Sequence, residues 1–131
     1  SLADDYNSSK ELMSKGLVEV IEEGLSHNEE DYRCALIDAD RFRAQVNQTF
    51  ANFDAIICPS TPGEAPQGMG TGSPIFQVTW TLLGVPCINL PTGFGPKGLP
   101  VGVQLVGRRF DDARLLALAA HLMQEFNTIK I

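Results

Sequence analysis

"GMGTGSPIFQVTWTLLGVP", residues 68–86, is the stretch on which the reading of this chain turns. Three glycines at alternate positions, Gly68, Gly70 and Gly72, lead into Ser73 and then into an apolar run. A dinucleotide fingerprint needs G-x-G-x-x-G in a tight strand-to-helix turn, whereas these glycines give G-x-G-x-G after a long Pro-rich loop. The Walker pattern also fails, because no lysine follows the last glycine. A serine nucleophile needs a base in reach. Ser73 is better explained as an N-cap, followed by Pro74 at the first helical position, where the missing N–H costs nothing. The spacing predicts a helix from there through Leu83, stopped by Gly84. Backbone N–H groups at its start leave only a weak anion seat.

Outward from this stretch, "DAIICP" (54–59) is a short apolar run with a β-branched centre, ended by Pro59, and predicts a buried strand. The loop "STPGEAPQGMGTG" (60–72) is long for a compact domain and therefore a functional candidate. "VPCINLP" (85–91) predicts a second strand, "TGFGPKGLP" a turn region, and "VGVQLVG" (101–107) a third strand returning antiparallel. Upstream, Leu12, Met13, Leu17, Val20, Ile21 and Leu25 are spaced for a helix over 8–25, weakened by Gly16. Ser26 or Asn28 caps a long second helix, with Glu29, Glu30 and Asp31 against its N-terminal dipole. Tyr32, Ala35, Leu36, Ala39, Phe42, Val46, Phe50 and Phe53 form its apolar face, and Arg33, Arg41 and Arg43 a solvated flank. Asp111 or Asp112 caps a last helix with Leu115, Leu118, Ala119, Leu122 and Phe126 in one stripe.

The predicted order is α-α-β-α-β-β-α, without internal repeats. The fold class is α/β: a mixed sheet, made of a right-handed parallel β-α-β crossover and an antiparallel hairpin, covered by helices. Residues 1–53 form a helical lead-in, 54–107 the sheet portion and 108–131 the C-terminal helix. One helix fits a free-standing small domain poorly. "SPIFQVTWTLLG" carries Ile75, Val78 and Leu82 on one side and Phe76, Trp80 and Leu83 on another, which demands burial on most faces. Three strands and a few helices offer too little cover, so self-association or pairing with a missing part is expected.

Composition narrows the function classes. With 131 residues the chain fits one domain or part of one, and 44% hydrophobic with 20% charged residues is ordinary for a globular protein. No apolar run approaches the roughly 18 residues needed to span a bilayer, and no signal peptide is recognisable, so a soluble cytoplasmic protein is expected, with no membrane partner. The net charge of −6 argues against nucleic acid as a partner. Cys34, Cys58 and Cys87 are odd in number and far apart, which predicts buried reduced thiols rather than zinc ligands or disulfides. His27 and His121 occupy ordinary helix positions, and the carboxylates cluster at helix starts. No metal-ligand spacing, no cofactor motif and no catalytic residue is found. The first residue, Ser1, suggests a fragment.

Several motifs, in order and at their spacing, carry a family resemblance: "FDAIICPSTPGEAP", "TGSPIFQVTWTLLGVPCINLPTGF" and "GLPVGVQLVGRRFDDARLLALAAHL". Together, over about residues 30–126, they resemble the C-terminal region of amidase signature family hydrolases, and "DDYNSSKELMSKGLVEVIEEG" resembles its helical lead-in. The resemblance implies a nucleophilic serine, a bridging serine on a cis peptide and a lysine, which cleave carboxamide C–N bonds through an acyl-enzyme. Those elements belong to earlier parts of the family's longer chains. No Gly-Gly-Ser-Ser-Gly-type loop is present in this chain, and Lys10, Lys15, Lys97 and Lys130 match no catalytic lysine.

The resemblance further implies that this segment supplies the last strands and outer helices of one large mixed sheet. It places Thr71, Pro74 and Val78, with Ile75 beside them, on the substrate-pocket side, at a spacing that shares one helix face. The expected partners are a small-molecule amide substrate and the missing N-terminal part of the same enzyme, and the piece alone is expected to be inactive. Two alternatives stay open: the amidase-like subunit of a tRNA-dependent glutamine amidotransferase, and a non-catalytic interaction module derived from an amidase.

Overall fold

The computed structural model describes residues 2–68 and 70–128; Ser1, Met69 and residues 129–131, with Lys130 and the end of the expected last helix, lie outside the described residues. The chain divides into two compact units, Ser1–Asp38 and Ala39–Ile131.

In the first unit, α1 (Leu2–Ser9), a 3₁₀ turn (Lys10–Leu12) and α2 (Lys15–Ser26) replace the single helix expected over 8–25. The break falls at Met13-Ser14 rather than at Gly16. Met13 is extended, and the Ser14 side chain accepts the Leu17 N–H at 3.3 Å, so a new helix is capped where the old one would have continued. A polar cluster fastens α1 to α2. Tyr6 Oη donates to Glu22 Oε1 at 2.8 Å, and Lys10 Nζ donates to Glu22 at 2.6 Å and to Tyr6 Oη at 2.8 Å. The hydrogen bond with Glu22, then that with Tyr6, pushes the Lys10 ammonium above the usual lysine range, and the hydrogen bond from Lys10 holds the Glu22 carboxyl below its usual range. No described residue of this unit is buried, and Leu12, Val20 and Leu25 remain exposed.

Helix α3 (Glu29–Thr49) starts from Asn28, whose Oδ1 accepts the Asp31 N–H at 2.8 Å, so Asn28 rather than Ser26 is the cap. It stops short of the expected Phe53. Phe50, just beyond its end, is still buried, whereas Phe53 is exposed.

The second unit holds a sheet of β1 (Ile56–Pro59), β2 (Cys87–Phe94) and β3 (Pro100–Val106) in the order β1-β3-β2. The α/β class stands, and with it the expected antiparallel β2–β3 hairpin; β3 also pairs with β1. Both pairings, β1 with β3 and β2 with β3, are antiparallel. β1 and β2 therefore run parallel to each other with β3 between them. The reason is in the residues of β3: Leu105 and Val106 are fully buried on opposite faces, and a strand apolar on both faces takes the centre. β2 also runs past Pro91 to Phe94, across an irregularity between Pro91 and Gly93.

Helices cover both faces. On one, Leu115 and Ala119 of α5 (Asp112–Thr128) pack against Leu90 and Leu105. On the other, Phe50, Leu83, Val85 and Val106 form a second cluster, with Val46, Ile56, Cys58 and Trp80 around it. Leu83 and Trp80 belong to α4 (Val78–Leu83), which begins later than expected. Helical hydrogen bonding nevertheless starts at Pro74, whose carbonyl accepts the Gln77 and Val78 N–H groups at 2.8 and 3.1 Å. Gly84 stops the helix as expected: at φ +64° it turns its N–H back to the Thr81 and Trp80 carbonyls. Arg43 is no mere solvated flank. Its Nε and Nη2 donate to the Leu82 carbonyl at 3.1 and 2.7 Å, placing a cation where the α4 dipole ends.

The three thiols are free, but only Cys58 is even half-buried; Cys34 and Cys87 are exposed, against the expectation of burial. Cys34 stands on the polar flank of α3 beside Glu30, and Cys87 at the start of an edge strand. Among the described residues no helix is long and apolar enough to cross a membrane.

Candidate functional site

The loop from Ser60 to Ser73 joins the end of β1 to the first turn leading into α4. Its start is fixed by three glutamine and asparagine side chains. Ser60 Oγ donates to Asn89 Oδ1 on β2, and Gln77 Nε2 donates to the Ser60 carbonyl. Beneath them Gln104, 5% exposed on β3, donates through Nε2 to the Phe76 carbonyl at 2.8 Å and toward the Pro59 carbonyl at 3.4 Å. One amide side chain thus joins β3, the end of β1 and the turn before α4. Further along, Thr61 Oγ1 bonds locally to the Gly63 carbonyl at 2.5 Å, and Glu64 Oε1 accepts the Lys97 and Leu99 N–H groups at 2.8 and 3.0 Å.

The folded loop encloses a concavity of about 440 Å³, lined among others by Pro62, Glu64, Pro66, Thr71 and Ser73, with Pro100 of β3 as a further wall. Gly72, at φ +79°, lets the chain turn beneath Pro66. Of the four residues expected on the pocket side, Thr71 lines this concavity and Pro74, Ile75 and Val78 do not. Nor do the four share a helix face, because α4 begins only at Val78. All four are exposed, Ile75 and Val78 to 65% and 58%. Ile75, Val78 and Leu82 make an outward apolar strip, while Leu83 and Trp80 turn to the core. The two-sided helix read from the sequence is real, but only one side is covered.

Among the described residues no group of His, Cys, Asp and Glu is placed to hold a metal ion. The histidines are elsewhere: His27 caps the end of α2, and His121 is exposed on α5, which covers the opposite sheet face from Gln104. Sequence reasoning missed Glu64, Gln77 and Asn89 as anchors of the loop. Glu64 had a signal, being the one charged residue between positions 60 and 73, and so did Asn89, a lone amide inside an apolar strand. A concavity of about 540 Å³ in the first unit is lined by helix-end groups, including Asn28, already engaged as a cap.

Comparison with known proteins gives a consistent result. The chain matches the family model described as Amidase over residues 4–116. It is 42% identical over 81 residues to the A subunit of the glutamyl-tRNA(Gln) amidotransferase of Pseudothermotoga lettingae, covering 56% of this chain and 17% of that protein. A crystal structure of an amidase superposes with a TM-score of 0.84 at 28% identity, over 94% of this chain and 31% of that one. The A subunit of the glutamyl-tRNA(Gln) amidotransferase of Thermotoga maritima superposes with a TM-score of 0.64 at 26% identity, over 86% of this chain and 26% of that one. The chain therefore spans about a sixth of the length of the Pseudothermotoga relative (17%).

Proposed function

The chain belongs to the amidase family, and we propose that it is the C-terminal segment of an amidase that hydrolyses the C–N bond of carboxamides. In this reading the serine nucleophile, the bridging serine and the lysine lie outside this chain. Residues 1–53 are the helical lead-in, 54–107 the sheet portion and 108–131 the terminal helix. The segment supplies sheet and one wall of the substrate pocket: Thr71 from the loop, and Pro74, Ile75 and Val78 from the turn and helix that follow. The observation that carries the reading is the anchored loop over a concavity, next to the outward apolar strip Ile75–Val78–Leu82. A pocket that combines apolar walls with a few polar groups suits a small amide. The enzyme works in the cytoplasm, and three free thiols are in keeping with a reducing compartment. Taken alone, the chain self-associates through the open edges of β1 and β2 and the apolar strip of α4.

A second reading has its own support. Several curated relatives are A subunits of a glutamyl-tRNA(Gln) amidotransferase, at 40–43% identity. There the parent protein would release ammonia from glutamine and pass it to a partner. An assay of ammonia and amine release over a panel of carboxamides, glutamine included, separates the readings when run on the chain and on the complete reading frame. Turnover of simple amides by the complete protein alone is the expected result. Turnover restricted to glutamine favours the amidotransferase. Activity in the chain alone would overturn the placement of the triad and make Ser60 and Ser73 the first residues to mutate. No turnover at all would point to a non-catalytic module.

A further inference from the structure

The loop over the concavity holds four glycines between residues 60 and 73 (Gly63, Gly68, Gly70 and Gly72), a composition that leaves it much freedom. Its two ends are tied at Ser60 and at the Pro74 carbonyl. Between them, among the described residues, the side chain that reaches another element through hydrogen bonds is Glu64.

The seat of Glu64 is the turn of the β2–β3 hairpin, and it accounts for that turn's donors. The Gly95 N–H bonds to the Leu99 carbonyl and the Gly98 N–H to the Gly95 carbonyl, both at 2.9 Å. The two remaining N–H groups, of Lys97 and Leu99, both go to Glu64 Oε1. A carboxylate acceptor makes stronger bonds to backbone N–H groups than a neutral one. The side chain lies across Gly95 so closely that a Cβ there would stand 2.4 Å from Glu64 Cγ and 2.5 Å from Cδ. Gly98 needs its glycine for its φ of +79°, but Gly95 is not among the positive-φ residues. What Gly95 provides is room for Glu64.

We propose that Glu64 is a positioning residue: its carboxylate, seated across Gly95 on the Lys97 and Leu99 N–H groups, sets where the loop of residues 60–73 lies over the concavity. The latch itself stands on these contacts. Its effect on substrate rests on the reading of the concavity as a pocket wall.

The test uses the complete protein with Glu64→Ala, Glu64→Gln, Gly95→Ala and the double variant Glu64→Ala/Gly95→Ala. Hydrogen exchange at the Lys97 and Leu99 amides should quicken on the order of tenfold in Glu64→Ala, as expected for losing charge-assisted bonds. Glu64→Gln keeps a carbonyl acceptor and should fall between Glu64→Ala and the parent. Gly95→Ala should resemble Glu64→Ala because its methyl evicts the same side chain, and the double variant should be no worse than either single one. With an amide substrate, KM should rise several-fold while kcat stays within about twofold. Unchanged exchange in Glu64→Ala, or full additivity of the two substitutions, overturns the latch. Quickened exchange with an unchanged KM supports the latch and overturns the assignment of the concavity to substrate.

Discussion

Replacing Gln104 should loosen the sheet and the candidate site together, and the size of the effect follows from its contacts. Gln104 is 5% exposed, and its Nε2 donates to the Phe76 carbonyl at 2.8 Å and to the Pro59 carbonyl at 3.4 Å. Gln104→Leu keeps the volume and removes both donors. Leaving the half-buried Phe76 carbonyl without its donor costs about 1–3 kcal/mol, and the leucine's extra apolar burial returns part of this. The net loss is about 2 kcal/mol, which is about thirtyfold in an opening equilibrium. Native-state hydrogen exchange of the β1 and β3 amides in the complete protein reads that change directly. Gln104→Glu sharpens the test. At neutral pH its carboxylate offers only acceptors to two carbonyls, so it should cost more than Gln104→Leu. Burial raises the introduced carboxyl's folded pKa above its unfolded value. The folded state then binds more protons, and the deficit grows as pH rises through the folded pKa and shrinks as pH falls below it. Exchange within about threefold of the parent for Gln104→Leu, or a pH-independent deficit for Gln104→Glu, would refute the bridging role assigned to this amide.

The other predictions rest on separate contacts. Gly102→Ala would place its Cβ 2.6 Å from the Leu90 carbonyl oxygen and 2.8 Å from Asn89 Oδ1. A loss of roughly 1–3 kcal/mol by urea denaturation is expected, against almost none for Gly63→Ala, where nothing lies within 4 Å. Asn28→Ala removes the acceptor of the Asp31 N–H and should lower the stability of α3 by about 1 kcal/mol, read as faster exchange of its first-turn amides. In the first unit, Glu22 titrates below the usual carboxylate range because Lys10 and Tyr6 donate to it. Its contribution is present above the unfolded carboxyl's pKa and fades as pH falls through the lower folded value. Acidification should therefore release α1 from α2 in NMR chemical shifts. Glu22→Gln should abolish that pH dependence; a surviving acid transition would assign it to another group.

What the sequence disclosed and what it withheld divide along a physical line. Helix and strand existence was legible wherever one element's own residues decided it: Gly84 as the stop of α4, Asn28 as a possible cap and the Leu115–Ala119 stripe all depend on local chemistry. Strand neighbours depend on which strand is buried on both faces, and "DAIICP" reads as apolar as "VGVQLVG". Only the assembled sheet shows that Leu105 and Val106 are the most deeply buried, which places β3 at the centre. The break at Met13-Ser14 was hidden for a similar reason, since the Leu12–Leu25 periodicity runs straight through it. At the candidate site the glycines marked the loop, but its anchors join residues 17 to 45 positions apart. No local pattern encodes such pairs.

Those same anchors bear on the proposal that this chain carries a pocket wall rather than a reacting centre. A nucleophile needs a free lone pair and a base to take its proton, and a general base needs an unoccupied acceptor. Around the concavity, Ser60 donates to Asn89, Thr61 bonds the Gly63 carbonyl, and one carboxylate oxygen of Glu64, Oε1, receives two backbone donors. Gln77 and Gln104 are turned to carbonyls. Each of these groups holds the loop in place, and withdrawing it for proton transfer would release the structure that shapes the cavity. Precise placement and freedom to react are opposed demands on one side chain. The proposed division, with the reacting groups on one segment and the loop anchors on another, would satisfy both.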